Sequence, residues 1–312
     1  EKGKFLKRLE SLRQNVLSEC NEKVKSFHLR MSSQPQINIE NKSVQSCLSN
    51  IPSIIDSLKV QDIKGGMRAA EGHYWIWGWD SMVYSEAMLL SDDSAFVKDM
   101  LKFYKDMADD KLGIPHQIST ELKPIFAMAF PAQCLYLVML YNYYVFTKDV
   151  SVLKEYYPFA KWIFNKTLEK EVKETGLIEG ISLYPDHPEY LGQDGHDLSV
   201  FNNSIFYQTL RVMEYLSSEM NDLDTVLKTK ETAKRCRENF IKHFFDRKKG
   251  YFIDSVSSLD FERRLHYPLY AILWVTPFAY ELVNHNIYRI AEFMENNFKQ
   301  KYGLYMFPKW DS

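Results

Sequence analysis

Apolar residues recur at helical spacing along most of the chain and predict a protein built almost entirely of helices. Two amphipathic helices are predicted near the start, over residues 5–31 and 41–59, and a third at Met82–Leu90. Ser33-Gln34-Pro35 ends the first helix, and the turn Lys64-Gly65-Gly66 follows the second.

The later helices are of two kinds. Ala129–Phe146, Leu198–Leu216 and Tyr267–Leu282 are apolar around most of their circumference, which is typical of helices enclosed by neighbours. Val152–Val172 and Leu223–Phe245 each carry one apolar stripe opposite a charged face. This alternation is what a double-layered helical ring requires, with a buried inner layer and a half-exposed outer layer. We therefore predict an all-α protein with a double-layered α/α toroid; a large irregular helical domain is the alternative.

The chain is expected to divide at one place. Residues 1–38 form an N-terminal helix and linker, and residues 39–312 form the toroid domain. The last residues, Lys309-Trp310-Asp311-Ser312, are typical of a loop. The toroid is therefore expected to be incomplete at its C-terminus.

Composition narrows the possible partners. The net charge of −2 argues against a nucleic acid, and no stretch is apolar enough to predict a membrane span. Aromatic residues make up 15% of the chain, more than a core requires, so some are expected to line a groove. The four cysteines contain no C-x-x-C pair and predict buried thiols rather than zinc ligands or disulfides, and no cofactor or metal is expected. They are Cys20, Cys47, Cys134 and Cys236.

The segment from His73 to Ser81 holds the most unusual pattern. Trp75, Trp77 and Trp79 alternate, so their rings share one face if the segment is extended, and Asp80 follows them. The C–H face of a pyranose stacks on aromatic rings, and a carboxylate accepts from its hydroxyls, so the pattern suits a sugar. The alternative is that the tryptophans are core residues and that Asp80 caps the next helix.

Two further connections carry polar side chains. Residues 112–118 contain a glycine, a proline and the neutral donors His116 and Gln117; His116 as an ordinary loop histidine is the alternative. Residues 179–197 are rich in carboxylates and lead into a predicted helix that begins with Asn202 and Asn203 in its first turn. Glycosidic cleavage requires a carboxylic acid at the leaving oxygen and a carboxylate that activates water. Candidates for the acid are Asp186, Glu189, Asp194 and Asp197, the last of which equally suits a helix cap.

Three motifs resemble one known superfamily, in order and spacing. The run Tyr74-Trp75-Ile76-Trp77-Gly78-Trp79-Asp80-Ser81 resembles the substrate-holding loop of the inverting (α/α)6 glycosidases, which include glucoamylases, trehalases, processing α-glucosidases and the glucosidase domain of debranching enzymes. Residues 113–118 are similar to their next loop, and residues 193–211 to their acid-bearing loop and following helix.

The resemblance implies an (α/α)6 toroid, for which residues 39–312 hold too few helices, and specific roles for single residues. Asp80 matches the aspartate that binds the terminal sugar, Trp79 occupies a position where many relatives have arginine, and Asp194 matches the general acid. His266 and Tyr267 are expected at the mouth of a later inner helix. The catalytic base is unassigned; its equivalent lies beyond Ser312, or Glu262 is a second carboxylate, which its arginine neighbours make equally typical of a surface ion pair.

The resemblance implies an exo-acting, inverting hydrolase of α-glycosidic bonds, with an oligosaccharide or glycoside as its partner. The alternatives are a phosphorylase, an epimerase or a catalytically silent sugar-binding protein on the same scaffold, and a helical interaction domain. The predicted substrate-binding residues are Trp75, Trp77, Trp79, Asp80, His116, Gln117, Asn202, His266 and Tyr267, with Asp194 as the catalytic residue.

Overall fold

The computed structural model describes residues 2–33, 39–126, 130–180, 196–248, 250–265, 279–283, 287–300 and 303–304. The described helices are α1 (Lys2–Ser33), α2 (Lys42–Leu58), α3 (Gly78–Leu90), α4 (Ser94–Asp106), α5 (Phe130–Thr147), α6 (Val150–Leu168), α7 (Val200–Glu219), α8 (Leu223–Phe244), α9 (Tyr280–Val283) and α10 (Ile287–Asn297). The described strands are short: β1 (Ile76–Trp77), β2 (Gln117–Ile118), β3 (Pro124–Phe126), β4 (Glu171–Val172), β5 (Leu177–Ile178), β6 (Asp197–Ser199), β7 (Phe245–Asp246), β8 (Tyr251–Phe252), β9 (Ser255–Ser257), β10 (Arg263–Leu265), β11 (Lys299–Gln300) and β12 (Gly303–Leu304).

Three successive helical hairpins form the scaffold. The first helix of each hairpin, α3, α5 and α7, packs side by side with the next, and α4, α6 and α8 lie outside them. This is the arrangement of an (α/α)6 toroid, and it confirms the predicted fold class. The predicted helix Tyr267–Leu282 lies mostly outside the described residues.

The burial of the helices follows their sequence pattern. Every residue of α5 from Pro131 to Leu140 is buried, because the helix has apolar residues on all sides and neighbours on all sides. By contrast, α8 buries one stripe that includes Ala233, Cys236 and Phe240, and exposes its charged face. The predicted inner and outer layers are therefore both present.

Two predicted helix caps are wrong. Helix α3 begins at Gly78, so Asp80 lies within its first turn, and Trp77 at the cap position provides no side-chain hydrogen bond. Helix α7 is capped by Ser199, whose hydroxyl accepts from the backbone N–H of Asn202 at 3.0 Å. A capping side chain must directly precede the first turn, and neither aspartate has that position.

Two small antiparallel sheets lie beside the starts of the inner helices. In the first, β1 pairs with β2 so that Trp77 lies opposite Gln117, and β2 pairs with β3. In the second, β9 lies between β6 and β10, with Asp197 opposite Ser257. Strand β1 leads directly into α3, and β6 directly into α7.

The second sheet contains two buried carboxyl groups. Asp197 on β6 is fully buried, and Asp254, which precedes β9, is 2% exposed. The backbone carbonyl of Asp254 accepts from Val200 N–H at 2.8 Å. Burial, with the negative charge of Asp197 as the second cause, raises the pKa of Asp254 to about 7.

The cysteine prediction is only half correct. Cys134 and Cys236 are buried thiols, whereas Cys20 on α1 and Cys47 on α2 are exposed. Among the described residues, no helix combines the length and the apolar character that crossing a bilayer requires. The expected division of the chain into residues 1–38 and 39–312 stays a prediction.

We predict that Gly113→Ala destabilises the protein. Gly113 has a φ of +77°, and a Cβ atom there would lie 2.9 Å from Cδ of Gln133. The Gln133 amide is already engaged, because its oxygen accepts from Ile114 N–H at 2.9 Å and its nitrogen donates to Ile114 O at 2.7 Å. Urea unfolding should show a loss of about 1–3 kcal/mol. Gly72→Ala is the control, because nothing lies within 4 Å of its Cβ position; equal stability losses in both variants would contradict this account.

We predict that Asp254→Asn changes how stability depends on pH. The unfolded chain releases this proton near the ordinary value of 3.8 and the folded chain near 7, so the folded state loses stability as pH rises between these values. Relative to the wild type, the variant should therefore gain stability across this window, by up to about 4 kcal/mol. Urea unfolding measured from pH 4.5 to 8 tests this. The exposed control Asp62→Asn should keep the wild-type slope, and an unchanged slope in Asp254→Asn would refute the prediction.

Candidate active site

The tryptophan segment folds as a hairpin that ends in a helix. Arg68 bridges to Ile76, and Trp77 N–H donates to Met67 O at 3.3 Å. The rings of Trp75 and Trp77 lie 6.3 Å apart, as expected for alternate residues on one face. The prediction that Trp79 extends this row is wrong, because the extended segment ends at Trp77 and Trp79 belongs to the first turn of α3.

Trp79 instead connects three parts of the chain. Its ring lies 5.7 Å from the ring of His116 and 5.1 Å from that of Phe201, centroid to centroid. The ring of His116 also contacts Trp77, at 5.2 Å. A backbone hydrogen bond from Gly78 N–H to His116 O, 2.6 Å long, fixes the first two loops to each other. The tryptophan loop, the loop that carries His116 and the entrance of α7 therefore meet around one indole.

His116 is a buried, neutral side chain. It is 6% exposed, and burial lowers its pKa to about 4. Its Nδ1 atom accepts from the backbone N–H of Trp79 at 3.3 Å, so the proton of the neutral ring resides on Nε2. His116 therefore contributes a neutral donor at this position.

Asp80 lies half-buried at the start of α3. Burial and, as the second cause, the negative charge of Asp80 raise the pKa of Tyr84. The same charge contributes, after burial as the larger cause, to the raised pKa of the fully buried Tyr104. Asp80 is thus a carboxylate close to two phenols, in the first helical turn, where the helix dipole favours a negative charge.

Two polar atoms near Trp79 have unused hydrogen-bonding capacity. The indole N–H of Trp77 and Oδ1 of Asn202 are both buried, and neither has a hydrogen-bond partner in the described part of the chain. Buried polar atoms normally have partners, so these two atoms suit the hydroxyl groups of a ligand. Gln117, half-buried opposite Trp77 in the sheet register, places an amide on the same sheet face as that indole.

Asn203, the neighbour of Asn202, has a structural role. Its Oδ1 atom accepts from Ile178 N–H at 2.7 Å, and its Nδ2 atom donates to Ile178 O at 3.0 Å and to Ser199 O at 2.8 Å. The two hydrogen bonds with Ile178 fix the start of α7 to β5, and the third is made to the capping residue of α7. Together they leave little capacity for a sugar. Of the two asparagines, only Asn202 therefore remains a candidate ligand.

The carboxylate-rich loop is described only at its two ends. Gly180 N–H donates to Asp197 O at 2.9 Å, which joins the chain before the loop to the chain after it. Asp186, Glu189 and Asp194, together with His266 and Tyr267, lie outside the described residues. Glu262 is described and exposed, at the turn between β9 and β10.

Three titratable residues of this region, Glu179, His196 and Asp254, had no predicted role. Glu179 accepts a hydrogen bond from Ser258 Oγ at 2.7 Å, and its Oε2 atom lies 3.8 Å from Nδ1 of His196. Asp254 is the third, and its nearness to Asp197 depends on a strand pairing between segments more than fifty residues apart. A lone aspartate between two apolar strand segments carries no sequence pattern that would reveal this pairing.

Several solved structures share this fold. The rhamnosidase from Klebsiella oxytoca with rhamnose bound has a TM-score of 0.59 at 11% identity, over 83% of this chain and 49% of that one. The GH63 mannosylglycerate hydrolase from Thermus thermophilus in complex with Tris has a TM-score of 0.55 at 13% identity, over 79% and 76%. The cellobiose 2-epimerase from Bacillus thermoamylovorans B4167 has a TM-score of 0.56 at 8% identity, over 77% and 67%. The chain thus spans about half the length of the Klebsiella rhamnosidase.

No curated protein matches the sequence. A family model does: the bacterial alpha-L-rhamnosidase six-hairpin glycosidase domain matches residues 75–292, which include Trp75, Trp77 and Trp79, His116 and the entrance of α7. Because this match covers well over half of the chain, the protein belongs to the family of bacterial alpha-L-rhamnosidase six-hairpin glycosidase domains.

Proposed function

We propose that the protein is a glycoside hydrolase that removes the terminal sugar of an oligosaccharide with inversion at the anomeric carbon. The observation that carries the proposal is the packing of Trp79 against His116 and Phe201. It brings a carboxylate, a neutral imidazole and neighbouring indoles to one end of the helical ring, where the loops before the inner helices meet. Aromatic faces beside a few polar groups are the composition of a sugar-binding site.

Each side chain has a role in binding under this proposal. The sugar ring stacks on Trp77, and Asp80 accepts from two of its hydroxyls. His116 Nε2 and the Gln117 amide donate to sugar oxygens, and Oδ1 of Asn202 accepts from a hydroxyl. His266 and Tyr267 stay predicted contacts. These groups orient the glycosidic bond toward the carboxylate-rich loop.

The chemical step requires a protonated carboxyl group at the leaving oxygen, and we assign this role to Asp194. His196, two positions after Asp194, is the first described residue after the loop. It shortly precedes the start of α7, where Asn202 also lies. Proton transfer from the acid to the leaving oxygen and attack by an activated water on the opposite face together invert the anomer. The residue that activates the water is not assigned.

An isomerase or epimerase is the second candidate. The structural similarity to the cellobiose 2-epimerase, and to a D-mannose isomerase with a TM-score of 0.56 at 11% identity, supports it. These activities rearrange a sugar and release no alcohol, whereas a hydrolase releases a new reducing end. Proton NMR of the wild type with α-rhamnosides, α-glucosides, α-mannosides and the corresponding free sugars separates the two and identifies the first anomer formed.

We predict that Asp194→Asn lowers kcat on glycosides at least 100-fold, because general acid catalysis contributes roughly 100- to 10,000-fold. Circular dichroism and the unfolding midpoint should match those of the wild type. Asp186→Asn is the matched variant in the same loop and should retain most of the activity. A loss in Asp186→Asn with an unchanged rate in Asp194→Asn would overturn the assignment.

We predict that Asp80→Ala raises KM more than it lowers kcat, because a group that binds hydroxyls throughout the reaction stabilises the ground state and the transition state alike. The unfolding free energy should fall by less than about 1 kcal/mol, the contribution of a charge to the helix dipole. Glu86→Ala, at an exposed position on the same helix, is the control for the helix charge. Identical kinetics in the two variants would contradict a binding role for Asp80.

A further inference from the structure

The hairpin before α3 exposes aromatic rings at its tip. Its base is buried, since Met67 and Ile76 are both 0% exposed. At the tip, Trp75 is 43% exposed and His73 is also exposed. An indole is among the largest apolar side chains, and an exposed one in contact with another aromatic ring is a candidate contact for a ligand.

The exposed rings continue inward as a strip, which we define as His73, Trp75 and Trp77. These residues alternate, and their rings are in contact: Trp75 and Trp77 are 6.3 Å apart with an interplanar angle of 35°, and His73 meets Trp77 edge-on at 5.6 Å. Exposure falls along the strip, because Trp77 is half-buried and contacts the buried His116. The aromatic surface is therefore continuous from solvent to the candidate active site.

We propose that the outer part of this strip, His73 and Trp75, is a subsite for the sugar that follows the cleaved one, so that the substrate is an oligosaccharide of at least two or three pyranose rings. The proposal rests on the proposed function. If the terminal sugar stacks on Trp77, the next sugar of the oligosaccharide lies one ring farther toward solvent. There the Trp75 ring, inclined by 35° to that of Trp77, provides a second aromatic face. A chain of pyranoses offers an apolar C–H face at each unit, which matches a row of aromatic rings.

Hydrogen-bonding groups on the same side favour a sugar over an apolar protein partner. Gln117 pairs directly with Trp77 in the sheet register, so its amide lies on the face that carries the strip. Sugar hydroxyls require such donors and acceptors beside the ring that they stack on. Because the strip is continuous with the candidate active site, a bound oligosaccharide would lie along it from the solvent to that site.

The test compares two substrates with the same terminal sugar and anomeric configuration: a methyl glycoside, which has no ring after the cleaved bond, and the trisaccharide. The measured quantity is the ratio of kcat/KM for the trisaccharide to kcat/KM for the methyl glycoside. In Trp75→Ala this ratio should fall about tenfold, the equivalent of about 1.4 kcal/mol, and in His73→Ala it should fall by less. Trp75→Phe keeps a ring and should retain most of the ratio.

The control is Tyr74→Ala. Tyr74 belongs to the same tip and is 78% exposed, but it alternates to the other side of the chain from His73 and Trp75. Its removal should leave the ratio at the wild-type value. An equal fall in Tyr74→Ala and Trp75→Ala, or an unchanged ratio in Trp75→Ala, would overturn the subsite.

Binding measurements separate the failure of this inference from the failure of the proposed function. If the wild type cleaves neither substrate, isothermal titration with the trisaccharide replaces the kinetic ratio. Binding that Trp75→Ala weakens and Tyr74→Ala preserves would support the subsite and count against the hydrolase. No binding by the wild type, or a change in sedimentation on Trp75→Ala without an effect on sugar affinity, would overturn the subsite and, in the second case, identify a contact between copies of the chain.

Discussion

The contact of the Trp79 ring with His116 and Phe201 is the interaction on which the candidate site depends. Trp79 belongs to the first turn of α3, His116 to the loop before β2, and Phe201 to the first turn of α7. An indole packed between the other two rings excludes water and fixes the relative positions of two inner helices at the end where their loops meet.

Polar interactions also fix the start of α7 at this end of the scaffold. The Asn203 side chain holds α7 to β5 through two hydrogen bonds with Ile178, and the buried Asp254 holds the first residue of α7 through its backbone carbonyl. Burial beside Asp197 favours the neutral form of the Asp254 carboxyl group, so the free energy of unfolding falls as pH rises. Such local cost is typical of functional regions, where the sequence favours a defined geometry over the greatest stability.

Periodicity in the sequence predicted most of the scaffold, although not α4, and was insufficient for the site. Helices such as Phe130–Thr147 and Leu223–Phe244 lie within a few residues of their predicted bounds, because apolar spacing reports directly which face is buried. Trp79 was placed in an extended row because alternation alone does not reveal where a strand gives way to a helix. The pairing that brings Asp254 near Asp197 joins distant segments, and single-sequence patterns contain no information about it.

The central claim is that one sugar contacts Asp80, Trp77 and the general acid Asp194 at the same time. Diffraction from crystals grown with a thio-linked, non-cleavable trisaccharide tests it most directly. The account predicts a terminal pyranose stacked on Trp77, with hydroxyls within hydrogen-bonding distance of Asp80 and the sulfur linkage facing the Asp194 carboxyl. A structure in which Asp80 and Asp194 open onto different surfaces, or in which the sugar binds away from Trp77, would contradict it.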